Sequence, residues 1–256
     1  MGWTSVWALL IGCAGVTPSD TSEDSSGDSG PETDSNDTSD TETGETDDTD
    51  PEDAQGAAFI SAMYLDLSVI ERISRFRSGY GHDFSDEFED CRSMKHYFCM
   101  QGCLTNDTTP WSENTIYSPV SGTISSMFEE QSFGTQMYLE PDDHPDFRVR
   151  LFHVTPEPGL ELGDHVTPGQ VLGHHVSSQT MSDLAVESFA NDEYRMVSMF
   201  DVLTPDLRAE LEDFGIPFDE LQISAEERDA DPLECNGEQF VDEGNLPNWV
   251  DLVNAN

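Results

Sequence analysis

Leu162-Gly163-Asp164-His165-Val166-Thr167-Pro168-Gly169-Gln170-Val171-Leu172-Gly173 is the stretch that decides the fold. Two turn signals, Gly163-Asp164 and Pro168-Gly169, stand beside short apolar runs, so the chain reverses within a few residues and leaves no room for a helix. The same rhythm extends outward. Strand-like runs are read at 116–125, 134–139, 147–154, 170–174, 182–189 and 194–202, with Pro119, Gly122 and Pro141-Asp142-Asp143 as further punctuation. Several short strands at this spacing predict a barrel or sandwich. Upstream, the run at 65–73 is compatible with a helix capped by Asp66 or Ser68. The segment 79–111 lacks any period and reads as an irregular loop with short helical turns. Downstream, Thr204-Pro205-Asp206-Leu207 starts a helix that ends near Gly215, and a further helical turn lies near Ala225-Glu226-Glu227. The expected class is mainly β, a barrel-sandwich with short peripheral helices and a disulfide-clamped loop.

The amino-terminal part has another character. Val6-Trp7-Ala8-Leu9-Leu10-Ile11 is too short an apolar run to span a bilayer and suits the core of a signal peptide. Leu10-Ile11-Gly12-Cys13 resembles the lipobox of bacterial lipoproteins. That resemblance implies removal of residues 1–12, acylation of Cys13 and stable membrane anchoring through several acyl chains. Ala14 after the cysteine implies outer-membrane sorting, with the protein periplasmic or at the cell surface. Residues 17–55 hold 15 acidic residues and no basic one. Such a tract has almost nothing apolar to bury and reads as a disordered spacer reaching ~35 Å. The rest of the chain still carries −28 of the formal charge of −43. A surface this acidic repels nucleic acid, which is therefore not an expected partner, and it repels itself at low ionic strength. The expected layout is a leader at 1–12 and a lipidated cysteine with acidic linker at 13–55. A helix and Cys-rich irregular segment at 56–114 follows. A β domain at 115–203 and a helical or irregular extension packed on it at 204–256 complete the chain.

Cys91, Cys99, Cys103 and Cys235 remain beyond Cys13. An even count in an exported chain suggests two disulfides, for which three connectivities exist. The favoured one ties the carboxy-terminal tail to the early loop through Cys91–Cys235, with Cys99–Cys103 as a local closure. The competing zinc knot, with His96 as fourth ligand, lacks the usual paired C-x2-C spacing.

Three stretches taken together resemble the lysostaphin/LytM-like zinc metallopeptidases. Ser118-Pro119-Val120-Ser121-Gly122-Thr123-Ile124 is similar to that family's A-P-x-x-G-x-V strand, 162–173 to its G-D-x-V-x-x-G-Q-x-I-G hairpin, and Phe152-His153-Val154 to its Y-x-H-L strand. The resemblance covers about 115–187 and implies the duplicated hybrid motif fold. Biotinyl and lipoyl carriers share the hairpin, but a carrier needs a lysine at a hairpin tip, and Lys95 is not in such a hairpin. The family binds zinc through an H-x3-D and the second histidine of an H-x-H. A metal held this way lowers the pKa of its water and polarises the amide carbonyl.

Position by position, the resemblance implies His82 and Asp86 as metal ligands and His153 as the assisting histidine. Where the family has H-L-H-F-E, the chain reads Asp183-Leu184-Ala185-Val186-Glu187. The third ligand has become Ala185, which binds no metal, and the first histidine has become Asp183. His174 and His175 are read as surface residues, and His144 and His165 as turn residues. The expectation is therefore a catalytically degenerate relative, without zinc, that binds a peptidoglycan peptide or an envelope protein. The alternative is an active zinc endopeptidase using His82, Asp86, Asp183 and His153 in a non-standard set.

Overall fold

A computed structural model describes residues 56–103, 111–176 and 180–252. The chain divides into two units, Met1–Asp47 and Asp48–Asn256. The leader, Cys13 and the acidic linker fall outside the described residues. Among the described residues no helix is long and apolar enough to cross a membrane.

The second unit is mainly β and antiparallel. Its strands are β1 (Ile70–Ser74), β2 (His96–Met100), β3 (Thr115–Tyr117), β4 (Gly122–Glu129), β5 (Thr135–Pro141), β6 (Phe147–Pro156) and β7 (His165–Val166). They continue with β8 (Val171–His175), β9 (Ser182–Ser188), β10 (Arg195–Val197), β11 (Cys235–Asn236), β12 (Gln239–Phe240) and β13 (Trp249–Asp251). Eleven of these form one sheet in the order β13-β1-β2-β9-β6-β5-β4-β7, with β10 on β9 and β3 on β8, which also meets β6. β11 and β12 form a separate hairpin.

The predicted strands from 134 to 189 are present. Four local expectations change. The run at 65–73 is not an α-helix but one 3-10 turn, Leu67–Val69, whose first residues are capped by Asp66 accepting from Ser68 N at 2.9 Å, followed by β1. Val69, Ile70 and Ile73 are β-branched and favour strands, and β1 finds hydrogen-bonding partners on both sides, β2 and β13. The segment 79–111 is not all loop, because it contains β2, every residue of which is buried. The run at 116–125 breaks into β3 and β4 around Ser118-Pro119-Val120-Ser121, since proline cannot donate to a ladder. The run at 194–202 is the short β10 and then a 3-10 turn, Met199–Asp201, capped by Ser198.

The helices follow their sequence signals. α1 (Pro205–Phe214) is capped by Thr204, whose side chain accepts from Leu207 N, and ends at Gly215 in the left-handed region at φ 99°. α2 (Ala225–Ala230) opens on a capping box in which Ser224 and Glu227 bond reciprocally.

β9 explains where the site lies. Its seven residues are all buried, so both faces are covered. Leu184 and Val186 face the main core with Leu151, Val149, Ile70 and Phe98, where each fully buried aliphatic chain contributes ~1.5–3 kcal/mol. Successive side chains alternate, so Asp183, Ala185 and Glu187 face the other way. There Ala185 packs in a second, smaller cluster with Phe76, Met94, Phe152 and Met196. The 78–94 segment roofs this second face. It is held by bridges from Ser93 to Ser78 and Phe84 and by the Cys91–Cys235 disulfide to the β11–β12 hairpin. It is held further by Glu89, which takes Arg77 at 2.8 Å and Arg92 at 2.6 Å. The second disulfide joins Cys99 to Cys103 at the end of β2.

Candidate functional site

The register between β2 and β9 sets Tyr97 opposite Asp183 and His96 opposite Leu184. Tyr97 therefore shares the face of Asp183, and Lys95, two residues before it, does so too. His96 falls on the other face. Asp183 is fully buried. Its Oδ2 is 2.5 Å from Nζ of Lys95, whose side chain is 3% exposed, and its Oδ1 is 3.2 Å from Nε2 of His153. Nζ of Lys95 also lies 3.3 Å from Nε2 of His82. Three rings enclose the ammonium: Phe152 at 4.2 Å, and Phe84 and Tyr97 each at 4.8 Å from their centroids. Cation–π attraction of this kind offsets part of the cost of taking the charge out of water. Gly81, at φ 84°, leaves room for the Tyr97 ring, which a Cβ there would strike.

His153 reaches Asp183 because β6 is kinked. Leu151 pairs with Met137 and Val154 with Thr135, so Phe152 and His153 together oppose one residue of β5. This is a β-bulge, a device that re-aims a side chain. His153 takes φ 61° within it, a left-handed conformation uncommon for a non-glycine residue. At the same point β6 leaves β9 and pairs with β8.

Charge states follow from the contacts. Nδ1 of His82 bonds to the Asp83 carbonyl at 2.8 Å, so that nitrogen carries the hydrogen and Nε2 is the acceptor facing Lys95. Burial, then the Lys95 charge, lowers the His82 pKa and keeps the ring neutral. His153 stands between the Phe133 carbonyl, 2.9 Å from Nδ1, and the Asp183 carboxylate. Burial alone would lower its pKa, but Asp183 outweighs burial and raises it. Burial likewise opposes ionisation of Asp183, and the Lys95 ammonium outweighs it, so that pKa is lowered.

Other residues singled out from the sequence lie elsewhere. Asp86 does not join His82. Its Oδ1 accepts from the amides of Phe88 and Glu89, and its Oδ2 from that of Met196. The H-x3-D motif therefore splits into a site histidine and a loop-capping aspartate. His96 is held by the Ser74 carbonyl and Ser198 Oγ, each at 2.8 Å, and burial lowers its pKa to about 4. His175 is not a surface residue. It is 1% exposed, its ring is 5.0 Å from Trp111 and 5.9 Å from His153, and burial lowers its pKa to about 4. It is buried because β8 is flanked on both sides, by β3 and by β6. His174 is partly exposed, 3.4 Å from Glu157.

A zinc ion does not fit these residues. Ala185 supplies no donor, both oxygens of Asp86 hold backbone amides, and the nitrogen His82 offers faces an ammonium. Among the described residues no group of three or more His, Cys, Asp or Glu side chains is placed to hold a metal. Sequence reasoning missed Lys95. Its signal was present: it is the only lysine among 256 residues, and only His96 separates it from the apolar run Tyr97-Phe98-Cys99-Met100. It also missed the neighbouring Arg150–Glu187 pair on the same face, 3.5 Å apart, with Arg150 over Phe152 at 4.8 Å.

No family model matches the sequence, and no curated protein matches it. Solved structures to which the chain is similar include Helicobacter pylori Csd3, at 15% identity and TM-score 0.40 over 61% of this chain and 39% of that one. A putative glycyl-glycine endopeptidase lytM from Ruminococcus gnavus is 14% identical, with TM-score 0.31 over 50% of this chain and 59% of that one. The catalytic domain of the antimicrobial peptidase lysostaphin from Staphylococcus simulans is 20% identical, with TM-score 0.30 over 47% of this chain and 88% of that one. The chain thus spans 39% and 59% of the lengths of the first two.

Proposed function

We propose that the chain is an exported cell-envelope protein, lipid-anchored at Cys13. In this reading its peptidase-like β domain is catalytically degenerate and binds an extended peptide, of peptidoglycan or of an envelope protein. The observation that carries the degenerate reading is the placement of Lys95. A permanently attached cation lies between His82, which the peptidase resemblance assigns as a metal ligand, and Asp183, which it assigns as a catalytic residue. A divalent ion entering there would meet a like charge at contact range, a repulsion that low dielectric enlarges. Ala185 removes the third ligand, and Asp183 is committed to an ion pair. The scaffold of hairpin, bulge and buried β9 remains, which is what a binding module keeps. The anchor and acidic spacer then position a binder rather than deliver a protease.

Metal analysis of the purified full chain tests the first half of the proposal. The expected result is a folded protein with no stoichiometric zinc and no hydrolysis of cell-wall peptides; stoichiometric zinc lost on His82→Ala would establish the peptidase alternative instead. Co-sedimentation with purified cell wall, beside pulldown from envelope extract at high salt, separates the two sources of peptide. Binding to neither would refute the second half.

A further inference from the structure

We propose that Arg148, backed by Arg150, is the anchor for a free carboxylate on the peptide that this domain binds. The inference rests on the peptide-binding reading for the identity of its ligand, and on the arginine geometry for its place. The chain has 53 acidic residues and ten basic ones, nine of them arginines, so carboxylate partners are not scarce. Eight of the nine arginines have a polar partner at 3.3 Å or less. Arg148 is the exception. Among the described residues its one polar contact is Nη1 to Oε2 of Glu187 at 3.5 Å, longer than the about 2.7–2.9 Å of a charge-assisted hydrogen bond. Its Nε is buried with no hydrogen-bond partner, while the side chain as a whole is 34% exposed. Most of the five N–H donors of this guanidinium are therefore unspent within reach of solvent.

The fork is nonetheless held in place. The Phe189 ring centroid lies 4.8 Å and that of Tyr138 5.5 Å from the guanidinium carbon, so stacking orients the group without consuming its donors. Arg150, on the same face, stacks on the same Tyr138 ring at 4.8 Å. It donates to Gln136 Oε1 from Nε at 2.9 Å and from Nη2 as well. Both arginines share Glu187, which Arg150 meets at 3.5 Å. Burial outweighs the two cations and raises the Glu187 pKa, so this carboxylate compensates them weakly. Glu130 meets the group through the Gln136 amide, which donates to it. A fork that is oriented, partly exposed and undercompensated takes a planar carboxylate in bidentate fashion. Glu187 stays beside it and repels a phosphate dianion more than it repels a carboxylate. Register fixes the place: Arg148 stands opposite Glu187 and Arg150 opposite Ala185. Along β9, Glu187 is four residues from Asp183, about 13 Å of strand. A ligand at Arg148 therefore need not enter the closed aromatic box around Lys95.

NMR of the purified full chain with isotopically labelled arginine tests the proposal. Each arginine gives one Nε–H signal, and that of Arg148 is identified by its disappearance in Arg148→Lys. The probe is N-acetyl-trialanine with a free carboxyl terminus, titrated at constant ionic strength beside its carboxamide. The expected result is a saturable shift of the Arg148 signal with the acid and none with the carboxamide. Arg148→Gln, followed on the Arg150 signal, should bind the acid about 10- to 100-fold more weakly. Three results each overturn the proposal: equal shifts with acid and carboxamide, no saturable shift with the acid at millimolar concentration, or tighter binding of inorganic phosphate than of the acid. The comparison of acid with carboxamide is made on the wild type, so it does not depend on whether a variant folds. The two proposals fail apart. Cell-wall or envelope-protein binding that Arg148→Gln leaves unchanged removes the carboxylate anchor and keeps the binding module. A carboxylate-specific shift in a chain that binds neither cell wall nor envelope extract keeps the carboxylate site and removes the proposed partners.

Discussion

Acid should weaken this domain through His96, and the size of the effect can be worked out. The ring is 1% exposed, bonded through Nδ1–H to the Ser74 carbonyl and accepting at Nε2 from Ser198, with Phe200 at 4.8 Å between centroids. Burial lowers its pKa from 6.5 to about 4. In the unfolded chain the same ring binds a proton near pH 6.5. Between these values the unfolded state holds more protons than the folded state, so stability rises with pH across the window and falls as pH drops. At about 1.4 kcal/mol per unit, complete titration costs about 3 kcal/mol, of which about 2 kcal/mol accrues by pH 5. The perturbation is His96→Gln, which removes the titration. Urea unfolding of wild type and variant at pH 7 and pH 5 is the assay. The wild type should lose about 2 kcal/mol more than the variant. His153, with a raised pKa, works in the opposite sense: its contribution is complete below the unfolded value and is lost as pH rises through the folded one. It is common to both proteins and cancels, as does His175. Equal losses in wild type and variant would refute the assignment of His96 as a buried neutral ring.

Asp183→Ala should destabilise the domain by about 3–5 kcal/mol in chemical unfolding, because it strands the Lys95 ammonium in an apolar box; a change under about 1 kcal/mol would mean the pair is solvated. Replacing Cys91 and Cys235 by alanine should cost about 3–5 kcal/mol through the entropy of the released loop. That bond spans 144 residues, and an unchanged urea midpoint would count against it as a clamp. With a formal charge of −43, the melting temperature should rise between low and molar salt as repulsion is screened; no change would show that the acidic surface does not oppose folding.

Much of the architecture was legible in local chemistry. Turn residues at Gly163-Asp164 and Pro168-Gly169, alternation from 134 to 189, the Thr204 cap and Gly215 stop all act within a few residues, so the sequence alone determined the mainly β class and α1. The resemblance of 115–187 singled out His153, Asp183 and Ala185, of which the structure brings His153 and Asp183 together. What the sequence did not disclose were the pairings made across long separations. β1 and β2 sit in segments that read as helix and loop because their stability comes from neighbours, β13 and β9, far away in the chain. The site depends on the same pairings. Only the register of β2 on β9 brings Lys95 against Asp183, and only the bulge in β6 turns His153 toward them. Asp86 leaves the motif because a backbone amide of Met196, in β10, claims its carboxylate. Composition and turns set which elements form, since they act locally; tertiary structure decided which charges meet, since a one-residue change of register moves every side chain to the opposite face.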